Sequence, residues 1–166
     1  MRTYLHINLS DRTVEKEQME GEQLARAGRY HIVKTMLDRG LADCDPLGPD
    51  NPLIFSAGPF AGSNFSNANR VSVGCKSPLT GGIKESNAGG TFGFALGQLE
   101  LSGLTLYGQS DEWVVMYIPK EGEIEYMSAE PYMGKGAFET ADMLHEKYGT
   151  KVSLCICGPV GEYGGL

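Results

Sequence analysis

Residues Arg70 to Gly90 read RVSVGCKSPLTGGIKESNAGG, a short apolar strand pattern that runs into a chain rich in glycine, serine and asparagine. Val71–Val73 is predicted to form a β-strand, and the residues after it a loop, because glycine and proline interrupt regular structure. Thr91–Ser102 then favours a helix, although Gly93 and Gly97 each weaken a helix by about 1 kcal/mol relative to alanine. A strand, a glycine-rich loop and a helix therefore form the middle of the predicted fold.

Hairpin, helix and strand patterns lie on both sides of this middle part. The first set is a hairpin at residues 3–17, a helix at 22–38 and a strand at 53–57. The second set is a hairpin at residues 113–126, a helix at 137–148 and a strand at 151–157, and it follows a single strand at 104–107. This repeat contains more hairpins than β-α-β crossovers. It predicts an α+β fold of two related β-sheet units with a few helices.

Length and composition are those of one folded domain, residues 1–166. The 17.9 kDa chain is 41% hydrophobic and 21% charged, which is near the average of globular proteins. It contains no apolar run of the roughly 18 residues that cross a bilayer, and its N-terminus lacks the apolar segment of a signal peptide. We therefore expect a cytoplasmic protein with no membrane partner, whose four cysteines are free thiols.

Charge and the last residues of the chain bear on its partners. Fourteen basic against 21 acidic residues give a net charge of −7 and a pI near 4.9, so nucleic acid, which carries negative phosphates, is not an expected partner.

Residues 158–166 form a turn-rich stretch directly after the last predicted strand, which would leave a strand edge uncovered. We therefore expect the natural chain to continue beyond Leu166.

The middle of the chain is unusual in its charge. Between Asn51 and Lys84 there is no aspartate or glutamate, whereas Arg70, Lys76 and Lys84 are all present, and ten of the 23 glycines lie between residues 58 and 103. Backbone amides and an arginine fork can together bind an anion, so a polyanionic ligand is one interpretation. The other interpretation is that the glycines form tight turns and that the lack of acidic residues is partly chance. It is supported by the absence of a GxxxxGK[ST] or GxGxxG phosphate motif from the sequence.

Several sequence blocks here are specific to one family. They are DPLGPDNPLI at residues 45–54, Gly58-Pro59, Arg70, KSPLTG at residues 76–81, SNAGG at residues 86–90 and Phe92-Gly93. In this order and spacing the chain resembles the N-terminal domain of the tungsten- or molybdenum-containing aldehyde:ferredoxin oxidoreductases. The resemblance covers nearly the whole chain, because the opening hairpin, the Gly28-Arg29 pair and the GPVGE sequence at residues 158–162 also match in order and spacing.

The resemblance implies a cofactor site. In the family this domain is a β-sheet base that carries a tungsten or molybdenum bis-pterin, whose two phosphates share one Mg²⁺. By this resemblance Asn87 supplies a backbone carbonyl to Mg²⁺, Arg70 lies between the pterin and a 4Fe-4S cluster, and Ala88, Gly89 and Gly90 line the pterin. Mg²⁺ prefers hard oxygen ligands, and glycines let the backbone approach a flat ring closely, so these roles agree with the residue types.

The resemblance also implies an activity. It makes the chain the cofactor-binding domain of an enzyme that oxidises aldehydes to carboxylates and passes electrons to ferredoxin. The family's cluster cysteines follow a C-x₂-C-x₃-C pattern that this sequence lacks, so the 4Fe-4S cluster is expected only in downstream domains. No catalytic residue is expected in this part, which alone should be inactive. The implied partners are its own downstream domains, ferredoxin through the full enzyme, and a second copy in a homodimer.

Two other functions stay open from the sequence. A binding or assembly module could keep the family fold and dock onto a separate catalytic subunit. A phosphate or nucleotide binder unrelated to pterin is a third hypothesis, which rests on the glycine-rich, acid-free segment alone.

Overall fold

Six β-strands form the larger of the two sheets found among the described residues. The computed structural model describes residues 1–164, which divide into a first unit, Met1–Gln109, and a second unit that begins at Ser110. The six strands belong to the first unit: β1 (Arg2–Asn8), β2 (Val14–Met19), β3 (Leu53–Ala57), β4 (Val71–Lys76), β5 (Ile83–Ala88) and β6 (Leu101–Tyr107). Their order across the sheet is β2-β1-β6-β3-β4-β5. The β1–β6 pair is parallel and the other pairs are antiparallel.

Helices cover both faces of this sheet. They are α1 (Gly21–Ala25), α2 (Arg29–Asp38) and α3 (Thr91–Gln98). On one face α2 packs Ile32 and Met36 against Ile54 of β3. On the other face α3 places Phe92 against Phe55, with ring centroids 5.8 Å apart. Ile54 and Phe55 are consecutive, and successive strand residues point to opposite faces, so the two helices lie on opposite sides of β3.

The core of the first unit contains a buried tyrosine. Tyr4 of β1 is fully buried, and its hydroxyl donates to the Phe55 carbonyl at 3.3 Å and lies 2.8 Å from Thr105 Oγ1. Burial raises the pKa of Tyr4 well above its usual range. These hydrogen bonds satisfy the one polar atom of the side chain, because a buried hydroxyl without a partner would destabilise the core. They also join β1 to β6 and β3.

The second unit contains a hairpin and a longer helix. Strands β7 (Val114–Tyr117) and β8 (Glu125–Ser128) pair in antiparallel fashion and are followed by α4 (Ala137–Tyr148) and α5 (Gly158–Glu162). Tyr117 of β7 stacks on Tyr148 of α4, with ring centroids 4.8 Å apart. Gly149 has a φ of +88° and its N–H donates to the His145 carbonyl at 2.8 Å, so it ends α4.

The predicted α+β class is confirmed, and so are most of its elements. Both predicted hairpins are present, as are the strand at residues 53–57 and the helix at residues 137–148. The predicted repeat holds only in part. Residues 151–157, all of which the structure describes, run as irregular chain instead of the predicted strand. The second unit therefore repeats the hairpin and the helix but not the strand that follows them.

Three other boundaries differ from prediction for local reasons. The helix predicted at residues 22–38 divides into α1 and α2, because Gly28 has a φ of +68°, which a helix cannot continue. Glu100, with a φ of +57°, follows the end of α3, so residues 101–102 belong to β6 rather than to the helix. The predicted loop after residue 73 contains the rest of β4 and all of β5. Most of β5 is exposed at the sheet edge, so apolar alternation does not mark it.

The two glycines of α3 have a packing role. A β-carbon added at Gly97 would overlap the main-chain carbonyl of Ala61, and one added at Gly93 would overlap that of Asn69. The chain before β4 therefore lies directly on the backbone of α3 at both ends of this contact. Asn69 also closes the loop, since its Oδ1 accepts from the Gly62 N–H at 2.7 Å. The glycines that weaken α3 as a helix thus allow the contact that places Arg70.

We expect Gly97→Ala to lower the free energy of unfolding by about 1–3 kcal/mol, because its methyl group would meet backbone that cannot rotate away. Urea unfolding of the two proteins measures the difference. Gly58→Ala is the matched control, since no atom lies within 4 Å of its added β-carbon. Helix propensity alone would make the alanine variant more stable than the wild type. A Gly97→Ala protein that is as stable as the wild type, or more stable, would contradict the packing role.

Candidate functional site

Arg70 and Asn87 meet across the β4–β5 pair. Arg70 directly precedes β4, and Asn87 lies opposite Ser72 in the register of the two strands. The Arg70 Nε donates to Asn87 Oδ1, and its Nη2 donates to the Asn87 carbonyl at 3.0 Å. Both residues are exposed at the edge of the sheet. One guanidinium therefore holds the side chain and the main chain of Asn87 together.

Ala88, Gly89 and Gly90 continue from Asn87 as an exposed strip of main chain. Gly90 has a φ of +110° and a ψ of −161°, and no atom lies within 4 Å of a β-carbon added there. A β-carbon added at Gly89 would lie 3.5 Å from Nη1 of Arg70. Residues 86–90 are all exposed. The structure thus brings the five predicted site residues together in an open surface with few side chains, and we call Arg70 with residues 87–90 the edge site.

Sequence reasoning missed the polar side chains behind the edge site. Ser72 Oγ donates to Glu85 Oε1 at 2.7 Å and accepts from Asn87 Nδ2 at 3.1 Å. The other carboxylate oxygen of Glu85 lies 3.4 Å from Nη2 of Arg29, the first residue of α2. Period-two spacing could have placed Ser72 on one face of β4, but the strand β5 that carries Glu85 and Asn87 was predicted as loop.

The basic residues of the acid-free segment do not all face the edge site. The Lys76 ammonium donates to the carbonyls of Ala42 and Cys44, at 2.6 and 2.7 Å, and so secures the turn at the end of residues 41–43. Lys84 is exposed on β5. Arg70 is therefore the cation that contacts the predicted residues, and Lys76 has a structural role.

A cleft of about 610 Å³ lies elsewhere in the first unit, between the β1–β2 hairpin and helices α1 and α2. Most of its charged groups pair with one another: Glu22 with Arg26, Asp38 with Lys34 at 2.5 Å, and Glu17 with His6 at 3.0 Å. The guanidinium of Arg39 lies over the ring of Tyr107, 4.1 Å from its centroid. Paired and partly exposed charges of this kind are typical of a solvated helix face. The edge site has the better residue types for a ligand.

Comparison with known proteins decides the family. The family model described as "Aldehyde ferredoxin oxidoreductase, N-terminal domain" matches residues 4–165. The chain belongs to this family. It is 37% identical to the tungsten-containing aldehyde ferredoxin oxidoreductase of Pyrococcus horikoshii, over 95% of this chain and 26% of that protein. With the corresponding protein of Thermococcus kodakarensis the identity is 35%, over 96% of this chain and 27% of the relative.

Two further relatives extend the comparison. A glyceraldehyde-3-phosphate:ferredoxin oxidoreductase of Pyrococcus furiosus is 32% identical over 49% of this chain and 12% of that protein. The active site complex BamBC of benzoyl-coenzyme A reductase, solved with 1,5-dienoyl-CoA, contains a chain with a TM-score of 0.83 and 28% identity, over 91% of this chain and 24% of that one. This N-terminal domain thus spans about a quarter of the length of the curated aldehyde ferredoxin oxidoreductases it matches.

The predicted family and fold are confirmed by these matches. The roles of the five site residues stay a prediction, since family membership does not assign them. Within residues 1–164, no helix is long and apolar enough to cross a membrane. In the same residues, no group of three or more His, Cys, Asp or Glu side chains could hold a metal ion.

Substitution of the two glycines of the edge site should give different results. Gly90→Ala should lower the free energy of unfolding by about 1–3 kcal/mol, because the backbone angles of Gly90 are essentially restricted to glycine. Gly89→Ala should change it by less than about 0.5 kcal/mol, because residue 89 has no left-handed φ and its added β-carbon makes only ordinary contact. Urea unfolding measures both values, and equal losses would show that the backbone of Gly90 is not restricted in this way.

Proposed function

We propose that the edge site of this domain binds a tungsten bis-pterin cofactor in an enzyme that oxidises aldehydes to carboxylates with ferredoxin as the electron acceptor. The main support is the position of Arg70, an exposed guanidinium fixed beside a strip of main chain that carries few side chains. The relatives named above are tungsten-containing aldehyde ferredoxin oxidoreductases, which supports the choice of metal.

The residues present fit such a cofactor. A β-carbon at residue 89 would be in van der Waals contact with the Arg70 guanidinium, 3.5 Å from Nη1, so glycine leaves more of this cation open to a ligand. Residues 88–90 offer an exposed surface against which a planar ring can pack. Arginine is well suited to phosphate oxygens, because its fork can donate two parallel hydrogen bonds.

The Asn87 carbonyl is the proposed protein ligand of a Mg²⁺ shared by the pterin phosphates. This oxygen accepts one hydrogen bond from Arg70, at 3.0 Å, and a carbonyl has a second lone pair for a cation. Mg²⁺ in proteins binds through few protein oxygens together with phosphates and water, so one carbonyl is a reasonable share of its ligands. Arg70 and Mg²⁺ are both positive and would repel each other at this carbonyl unless anions lay beside them. A ligand that carries phosphates supplies those anions.

In this proposal the domain binds and orients, and the bound cofactor supplies the two-electron redox chemistry. Arg70 would balance the negative charge of the phosphates, the Asn87 carbonyl would hold Mg²⁺, and residues 88–90 would contact the ring. A 4Fe-4S cluster, the substrate-binding residues and the ferredoxin surface would lie in downstream domains. We further propose a cytoplasmic enzyme, with a homodimer as its assembly and molybdenum as the alternative metal.

Arg70→Ala in the full-length enzyme should reduce the tungsten retained per chain by roughly tenfold or more, because charge-assisted hydrogen bonds to a bound anion are worth about 1.5–3 kcal/mol. Elemental analysis of the purified protein measures the loss, and aldehyde oxidation should fall in parallel. Lys84→Ala is the matched control, since it removes an exposed positive charge from the same acid-free segment. Tungsten content equal to that of the wild type in Arg70→Ala would oppose the edge site as the place where the cofactor binds. A wild-type protein that holds no tungsten would favour a module that docks onto a separate catalytic subunit.

A further inference from the structure

We infer that Ser72 and Glu85 are positioning residues for Asn87, and that they fix its side-chain amide so that its main-chain carbonyl faces the proposed cofactor. The role given to the Asn87 carbonyl rests on the proposed function. The hydrogen bonds among Ser72, Glu85 and Asn87 are present in the structure whatever that function is. Neither residue lies among the five predicted site residues, and both lie directly behind them.

Four residues, Glu85, Ser72, Asn87 and Arg70, are joined by a series of hydrogen bonds, and in each of these bonds only one partner can be the donor. An ionised Glu85 carboxylate has no proton to donate, so the Ser72 hydroxyl must donate to it, at 2.7 Å. Ser72 Oγ can then only accept from Asn87, which must present its Nδ2 group, at 3.1 Å. That orientation turns Oδ1 of Asn87 toward the Arg70 Nε, which can only donate. The amide of Asn87 is thus fixed from both sides.

Burial shields the Ser72 side of this arrangement from water. Ser72 is 5% exposed and the Glu85 side chain is 13% exposed, whereas Arg70 is exposed. Hydrogen bonds shielded from water are stronger than exposed ones, because water competes less for the same groups. Asn87 lies on an edge strand and has no second neighbouring strand to restrain it. Arg70 and the Ser72–Glu85 pair provide this restraint instead.

The arrangement is also anchored in helix α2. Arg29 opens α2 and lies 3.4 Å from Glu85, and a β-carbon added at Gly28 would be 3.4 Å from Ser72 Oγ. The Gly28 N–H itself donates to Ser56 Oγ at 2.8 Å. The N-terminus of α2 therefore packs against the same polar face of β3, β4 and β5, where it favours the negative charge of Glu85.

The first test measures Asn87 directly in the 166-residue chain. In ¹⁵N relaxation experiments, the order parameter of the Asn87 Nδ2 group should be near the rigid value of about 0.85 in the wild type and fall below about 0.6 in Ser72→Ala. Glu85→Gln keeps the shape of the side chain but can donate to Ser72, so the proton direction is no longer fixed and the order parameter should fall there too. Ser86→Ala, an exposed serine between Glu85 and Asn87, is the matched control and should leave it unchanged.

The second test measures metal retained by the full-length enzyme. Ser72→Ala and Glu85→Gln should each lower tungsten and magnesium per chain by roughly twofold to tenfold, the effect of one hydrogen bond of ordinary strength, and Ser86→Ala should not. An unchanged Asn87 order parameter in both variants would overturn the inference. So would normal metal content in both variants where Arg70→Ala loses metal. If all three variants keep their metal, the proposed function fails, whatever the order parameter shows.

Discussion

The hydrogen bonds from Arg70 to both oxygens of Asn87 are the interaction on which the edge site depends. Because β5 is the last strand of its sheet and pairs with β4 only, these bonds supply a restraint on Asn87 that a second neighbouring strand would otherwise give. Arg70 in turn has its place because the preceding chain lies on the backbone of α3. That contact exists only where α3 has glycine, at residues 93 and 97. A helix, a loop and two strands therefore determine the position of one guanidinium.

Glycine has two separate roles in this region, which composition alone could not distinguish. Gly93 and Gly97 are in ordinary helical conformation and are needed for the space they leave. Gly90 has open space around it and is needed for its backbone angles. Gly93 and Gly97 are therefore needed for packing, and Gly90 is needed for the shape of the exposed surface. The high glycine content near this candidate site therefore reflects the packing of the fold as well as the shape of the exposed surface.

Much of this fold could be predicted from the sequence, because the spacing of apolar residues and the position of turn residues indicate hairpins and amphipathic helices. The family could be predicted as well, since KSPLTG and SNAGG are specific blocks. What the sequence hid was β5, whose exposed residues carry no alternation, and the division between α1 and α2 at Gly28. The polar residues behind the candidate site were not predicted for the same reason. Strand pairing brings Ser72 of β4 to Glu85 and Asn87, which lie on one face of β5, and the Lys76 ammonium donates to carbonyls of the fold.

The parallel pairing of β1 with β6 has a consequence for how the first unit is made. Thr3 lies opposite Leu101 and Asn8 opposite Tyr107, so the opening hairpin has no inner neighbour until the last strand of the unit has been synthesised. Long-range pairing of this kind slows folding, because a large loop must close before any contact stabilises it. Since β6 lies between β1 and β3, the six-stranded sheet can form as a whole only after residues 101–107 have been synthesised.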